Sequence, residues 1–207
     1  MQESILFVVT GPSGSGKGTI MRAIVKRYSD IIKIATFTTR APRANEEHGF
    51  DYNFVPQARF LEKVQAGEIA EWEQVYQDHY YGSPSFDPNA GPDRLMELDY
   101  KGMFKYKNLA KRLVSIFVAP PSLDEMVERI QKRSTEANLA NRVNNAIEQL
   151  CYAQHYDYII INGEMEEACA EAVAIVGAER ARRDHGARIA ALNALCLNSP
   201  QSISARR

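Results

Sequence analysis

Apolar and polar positions alternate along the chain in two different textures. Ile5-Leu6-Phe7-Val8-Val9 is an unbroken apolar, β-favouring run that ends in a Gly/Ser cluster, the pattern of a buried parallel strand feeding a loop. Helical spacing follows from Thr19 to Tyr28. Leu95 to Leu98, Val114 to Val118 and Tyr156 to Ile161 are further strand candidates, and helical stretches separate the later ones. Such alternation predicts βαβ units, hence an α/β fold with a parallel sheet and right-handed connections. Ser122-Leu123-Asp124-Glu125 reads as a capping box, with Ser122 accepting from the third helical amide and Glu125 reaching back, at the start of a helix running towards Arg133.

Between about Thr36 and Ser83 the pattern changes to Thr, Arg, Pro, Tyr and Gly with alternating apolar positions, as in Tyr52-Asn53-Phe54-Val55 and Glu71-Trp72-Glu73-Gln74-Val75. This predicts a small β-rich lobe inserted into the core. Pro84 to Pro92 holds three prolines and one glycine and reads as a loop. From Glu179 the tail is rich in arginine and alanine, then polar; Ile189, Leu192 and Leu195 at helical spacing could mediate self-association into a homo-oligomer, the alternative being a frayed terminus.

The 207 residues, 45% hydrophobic and 25% charged, suit one globular domain or one core with small inserted lobes. Formal charge is only -1, so no overall field draws the chain to nucleic acid or membrane, and an anionic ligand must be held by local arginines. Cys151, Cys169 and Cys196 are odd in number and widely spaced, which speaks against a disulfide framework or zinc site and for free thiols in a reducing compartment. With no basic leader and no long apolar stretch, a cytoplasmic location is expected. His48, His79, His155 and His185 read as surface or packing residues.

Gly11-Pro12-Ser13-Gly14-Ser15-Gly16-Lys17 follows a predicted strand and opens a predicted helix, the context in which a GxxxxGK pattern marks a phosphate-binding loop. Glycines let successive amides turn inward on a β-phosphate, the helix N-terminus adds partial positive charge, and Lys17 bridges the β- and γ-phosphates. The full pattern places Ser or Thr after the lysine to hold magnesium, but here Gly18 stands there, followed by Thr19. Magnesium keeps most of its waters and can be carried by the nucleotide phosphates, so Mg2+ with ATP is still expected.

A second cluster runs from Thr36 through Arg40, Arg43 and Glu46 to Asp51-Tyr52. Arg40 and Arg43 are close enough in sequence to converge on one anion, where bidentate guanidinium bonds suit a phosphate dianion. Two anion sites imply two phosphate-bearing ligands; a solvated basic hairpin is the alternative.

TTRxPRxxE from Thr38's neighbourhood onward, GxDYxFV, Glu71-Trp72, Tyr81-Gly82-Ser83, Leu98-Asp99 before Lys101-Gly102, Ala119-Pro120-Pro121-Ser122, Arg129 with Arg133, Arg142 and Ile160-Ile161-Asn162 follow one another in an order that resembles the guanylate kinase family. The resemblance covers roughly residues 5 to 180. It implies a P-loop NTPase-type parallel sheet flanked by helices, with an inserted β-rich GMP-binding lobe and a short helical lid. Core would comprise 1–35, 85–128 and 143–180, the lobe 36–84, the lid 129–142 and a C-terminal tail 181–207. The implied activity is transfer of the γ-phosphoryl group of ATP to GMP, and to dGMP.

Residue by residue, the resemblance implies that Thr36, Arg40, Arg43, Tyr52 and Tyr81 bind the GMP phosphate, that Glu71 and Ser83 read guanine, and that Asp99 lies near the acceptor nucleotide. A carboxylate can accept from both N1 and N2 hydrogens of guanine, a donor pair adenine lacks. Gly11 to Thr19 and Asn162 would hold ATP, while Lys17, Arg40, Arg43 and the lid arginines Arg129, Arg133 and Arg142 would stabilise the transferring group. Glu97, where the family has aspartate, and Asp99 could reach magnesium through water, with no direct protein ligation. The acceptor oxygen is already anionic, so catalysis needs alignment and charge neutralisation instead of a base. Lobe closure that excludes water is expected. Other departures are Thr36 for serine, Gly163 for aspartate, the lid run Ser134 to Asn138 and a shortened connection from Ser85 to Arg94. Two alternatives remain open: a noncatalytic phosphopeptide-binding module of the same fold, and a kinase for another small phosphorylated acceptor.

Overall fold

The computed structural model describes residues 3–75, 79–132 and 136–197. In chain order the elements are β1 (Leu6–Thr10), α1 (Lys17–Arg27), β2 (Ile32–Ile34), β3 (Thr36–Thr38), β4 (Tyr52–Phe54), α2 (Gln57–Gln65), β5 (Ile69–Val75), β6 (His79–Pro84), β7 (Arg94–Glu97), α3 (Tyr100–Leu109), β8 (Leu113–Ala119), α4 (Leu123–Gln131), α5 (Glu136–Cys151), β9 (Tyr158–Ile161) and α6 (Met165–Leu197).

The apolar N-terminal run is uninterrupted because β1 is the middle strand of a five-stranded parallel sheet, order β2-β7-β1-β8-β9, with helices on both faces. Ile5, Phe7 and Val9 pack with Ile20, Met21 and Ile24 of α1 and with Ala172 and Val176 of α6. Leu6 and Val8 turn to the other face and pack with Met103 and Tyr106 of α3, Phe117 and Tyr156. Each fully buried large apolar side chain contributes about 1.5–3 kcal/mol, so this double-sided strand is the chief anchor of the core. Its C-terminal end delivers the phosphate loop to the carboxyl edge of the sheet, where ligands of open α/β sheets bind.

A second sheet, order β4-β3-β6-β5, carries the inserted lobe. Its period-2 alternation sorts side chains by face. Thr36 pairs with Tyr52, Thr38 with Tyr81, and Glu71 with Ser83, so these six share one face. Phe37, Trp72 and Tyr80 point the other way, where Phe60 of α2 meets Tyr80 at 5.6 Å between ring centroids. The segment expected to be β-rich carries, beside its four strands, one helix not named from the sequence. Pro56 at its N-cap, Phe60 on its inner face and Gly67 at φ 71 just beyond its end are the local signals for it. β2 was likewise missed, being only three residues long.

Ser122 Oγ accepts from the Glu125 amide as the capping box predicts. The reciprocal half differs: the Glu125 carboxylate pairs instead with Arg129 at 2.6 Å. That ion pair, one turn along the same helix face, competes for the carboxylate. α4 and α5 pack on each other through Met126, Ile130, Val143 and Ala146. Residues 181–197 of the C-terminal tail continue α6, a 33-residue helix about 50 Å long. Glu179, Arg180 and Arg183 fasten it to the core, and beyond them Ile189 and Leu192 are exposed. Cys151 and Cys169 are free thiols.

Candidate active site

The phosphate loop is a backbone cradle between β1 and α1. Gly16 caps α1 at φ 94, and a Cβ there would stand 2.3 Å from Asn162 Nδ2. A Cβ on Gly11, at φ 150, would meet the Val118 carbonyl at 2.2 Å. Only glycine fits either place. Asn162, buried at the end of β9, donates to the Ser15 carbonyl at 2.6 Å and so braces the loop from below. Ser15 Oγ is buried without a hydrogen-bond partner, 3.0 Å from where a Cβ on Gly11 would stand. Pro12, Ser13 and Gly14 complete the loop, Gly18 lies half-buried and Thr19 is exposed.

Lys17 Nζ donates to the Gly11 carbonyl at 2.7 Å and the Pro12 carbonyl at 3.0 Å, and lies 3.4 Å from Glu97 Oε1. The ammonium is thus held at the mouth of the cradle. Two expected lid arginines already reach this loop: Arg142 donates to Ser13 Oγ at 2.7 Å and Arg129 to the Gly14 carbonyl at 3.3 Å. Arg133 lies outside the described residues.

The second anion site is built on the face of the lobe sheet. Arg40 clasps Glu46 with two nitrogens, each at 2.8 Å, and its Nε donates to Tyr81 Oη at 3.3 Å. Arg43 joins the same carboxylate at 3.2 Å. Glu46 thereby holds the two guanidinium groups side by side while leaving the trio net positive. Burial alone would raise the Glu46 carboxyl, but Arg40 and Arg43 outweigh it and hold it below its ordinary value. Tyr52 stacks edge-on against Tyr81 at 5.9 Å, under the Arg40 guanidinium at 5.5 Å. Burial, reinforced by Glu97, pushes the Tyr52 phenol well above its ordinary range, so it stays protonated and able to donate. Thr36 lies beside Tyr52 in the register.

Glu97 contacts Lys17, and its negative charge adds to the burial that raises the Tyr52 phenol. Further along the lobe face, Ser83 Oγ donates to Glu71 Oε1 at 3.0 Å, and Lys105 approaches the other oxygen at 3.4 Å. A Cβ on Gly102 would come within 3.1 Å of Glu71, so α3 closes this pocket at backbone distance. Tyr106, pushed up to about 12 by burial and then by Glu71, is its floor. Gly102 belongs to the Lys101-Gly102 motif, whereas Lys105 and Tyr106 were not singled out from the sequence; their spacing on one face of α3 with Gly102 is the only local signal. Asp99 caps α3 by accepting from the Gly102 amide at 2.8 Å. Burial, together with Glu73 and Glu71, raises its carboxyl above the ordinary value. Asp99 therefore belongs with the Glu71 pocket, whereas Glu97 belongs with Lys17.

A protein-family model described as guanylate kinase matches residues 3–179. The chain is 39% identical over 183 residues to a guanylate kinase of Thermotoga maritima, covering 86% of this chain and 88% of that protein. It is 37% identical over 189 residues to one from Caldanaerobacter subterraneus subsp. tengcongensis, covering 88% and 91%. Among solved structures, the guanylate kinase from Anaplasma phagocytophilum superposes with a TM-score of 0.68 at 30% identity, over 86% of this chain and 87% of that one.

Proposed function

The chain belongs to the guanylate kinase family, and we propose that its two anion sites convert ATP and GMP into ADP and GDP, with dGMP as a second acceptor. The observation that supports the reading is the pairing of a glycine-lined cradle ending at Lys17, which lies 3.4 Å from Glu97, with a separate cluster of Arg40, Arg43, Tyr52 and Tyr81 gathered around Glu46. A GMP phosphate oxygen attacks the γ-phosphorus while the bond from that phosphorus to the β,γ-bridging oxygen breaks, leaving the electron pair on ADP. The attacking oxygen is already anionic, so no residue removes a proton.

The residues instead align and neutralise. Lys17 follows the β,γ-bridge on the donor. Arg40, Arg43, Tyr52, Tyr81 and Thr36 fix the acceptor phosphate, Glu46 keeping both guanidinium groups in register. Arg129 and Arg142, with Arg133, close over the γ-phosphoryl from the lid at 129–142, while the lobe at 36–84 closes from the other side. Glu71 and Ser83 read the guanine edge, with Asp99 and Gly102 forming the wall. The remaining segments 1–35, 85–128 and 143–180 act as the core, and 181–207 as the tail.

Among the described residues no three Asp, Glu, His or Cys side chains converge on one point. Mg2+ carried on the ATP phosphates would be reached through water by Glu97, the carboxylate in contact with Lys17. When bound, the ion neutralises charge on the β- and γ-phosphates. Among the described residues no helix is long and apolar enough to cross a membrane, and a cytoplasmic role in purine nucleotide metabolism agrees with the substrates. A coupled ADP-release assay across GMP, dGMP, AMP, UMP and CMP tests the reading. Turnover with GMP and dGMP alone is expected; rapid turnover with AMP or a pyrimidine nucleotide, or none with GMP, would overturn it.

A further inference from the structure

Between the two anion sites lies a contact that neither the phosphate-loop motif nor the acceptor pocket uses. Gly18 and Arg22 are four residues apart on α1 and so share one helix face. Asp51, from the lobe turn just before β4, lies across that face. Its Oδ2 accepts from the Arg22 guanidinium at 2.5 Å and from the Glu47 amide at 2.8 Å. Its Oδ1 would be 3.7 Å from a Cβ on Gly18, an ordinary packing distance. The neighbouring Phe50 ring is held between two cations, Arg22 at 4.3 Å and Lys33 at 4.7 Å, and Lys33 also donates to the Phe50 carbonyl. The Asp51 side chain is only 14% exposed, so this ion pair is shielded from solvent on one side and worth more than a surface pair.

The position of the contact gives it consequence. Lys17 adjoins Gly18 at one end, and Tyr52 of the acceptor pocket adjoins Asp51 at the other. A shift of the lobe turn along α1 would therefore change the separation of donor and acceptor phosphates directly.

We propose that Asp51 is a positioning residue that locks the acceptor lobe to the phosphate-loop helix, through Arg22 and the side-chain-free flank of Gly18, in the register required for phosphoryl transfer. The proposal rests on the guanylate kinase reading. Because a misplacement of about 1 Å costs about 10²-fold and partial relaxation is available, Asp51→Asn and Arg22→Gln are each expected to lower kcat by at least about tenfold.

Four readouts separate this from a merely structural role. In the double variant the loss should match that of either single one, since both break the same contact. GMP affinity measured by calorimetry without ATP should stay within about threefold of wild type, and the ATP KM likewise. Arg22→Lys, which retains the charge, should recover most of the rate. The Mg2+ concentration for half-maximal rate should not move.

Singles with kcat within about twofold of wild type, losses that multiply in the double variant, a change confined to GMP affinity, or a displaced Mg2+ dependence would each overturn the proposal. Arg22 is partly exposed, so Arg22→Gln remains a fair test should Asp51→Asn fold poorly. A wild-type protein that turns over GMP while the variants keep its rate sinks this inference alone; a wild type inactive on GMP sinks the underlying reading with it.

Discussion

Ser83 Oγ donates to Glu71 Oε1 at 3.0 Å across adjacent strands of the lobe. The bond orients the carboxylate beside the backbone of Gly102, with its other oxygen 3.4 Å from Lys105. Glu71→Gln replaces one acceptor by a donor, which opposes the N1 and N2 hydrogens of guanine. The expected result is a fall in kcat/KM for GMP of about 10- to 100-fold, from an unmatched buried polar group worth about 1–3 kcal/mol, with little change for AMP. A ratio of GMP to AMP specificity equal to wild type would remove Glu71 from base recognition.

Lys17 donates to the Gly11 and Pro12 carbonyls and forms an ion pair with the Glu97 carboxylate at 3.4 Å. Lys17→Ala should lower turnover by several orders of magnitude while thermal unfolding shifts by only a few degrees, because the loop is also braced by Asn162 at Ser15. Undiminished turnover would refute the role given to Lys17.

The phosphate loop could be read directly because its chemistry lies in consecutive letters whose spacing is the mechanism. The acceptor residues came from the family resemblance and not from spacing; the strand pairing adds that Tyr81 with Ser83 and Thr36 with Thr38, each two apart, share one face. The α2 helix escaped because a nine-residue helix between strands offers few turns of periodicity. Asp51 with Arg22, and Lys105 beside Glu71, escaped because they are meetings of side chains far apart in sequence. No spacing rule encodes those; only the assembled fold does.

Glu46 makes the acceptor lobe sensitive to acid. Its carboxyl is held below the ordinary value in the folded protein, so its contribution to stability is present above the unfolded value and disappears as pH falls through the depressed folded one. Wild type should therefore lose more stability than Glu46→Gln between about pH 6 and pH 3, and the gap between the two should narrow as pH falls. Denaturant midpoints measured across this range provide the check. A gap that stays constant, or widens in acid, would show that the Arg40 and Arg43 contacts do not stabilise the ionised carboxylate.

Asp93 tests stability at the other end of the sheet. Its side chain is 3% exposed, its Oδ1 accepts from the Ile5 amide at 2.9 Å and pairs with Arg183, itself 8% exposed, and Arg180 Nε lies 3.0 Å from Oδ2. One carboxylate thus joins the start of β1, the entry to β7 and the helix α6. Asp93→Ala would leave the buried Ile5 amide without its acceptor and Arg183 with only Asp184 and the Glu3 carbonyl as partners, and removing one member of a buried ion pair costs up to about 3–5 kcal/mol. Because Asp93 precedes β7 while the phosphate loop follows the opposite end of the neighbouring β1, the KM for ATP and GMP should be unchanged where the variant is folded. Urea unfolding should show the loss in the midpoint, and Asp93→Asn, which keeps one acceptor for the Ile5 amide, should fall between the two. A loss in Asp93→Ala below about 1 kcal/mol would mean that α6 is held chiefly by its apolar contacts with β1 and α1, with the arginines contributing no more than surface pairs do.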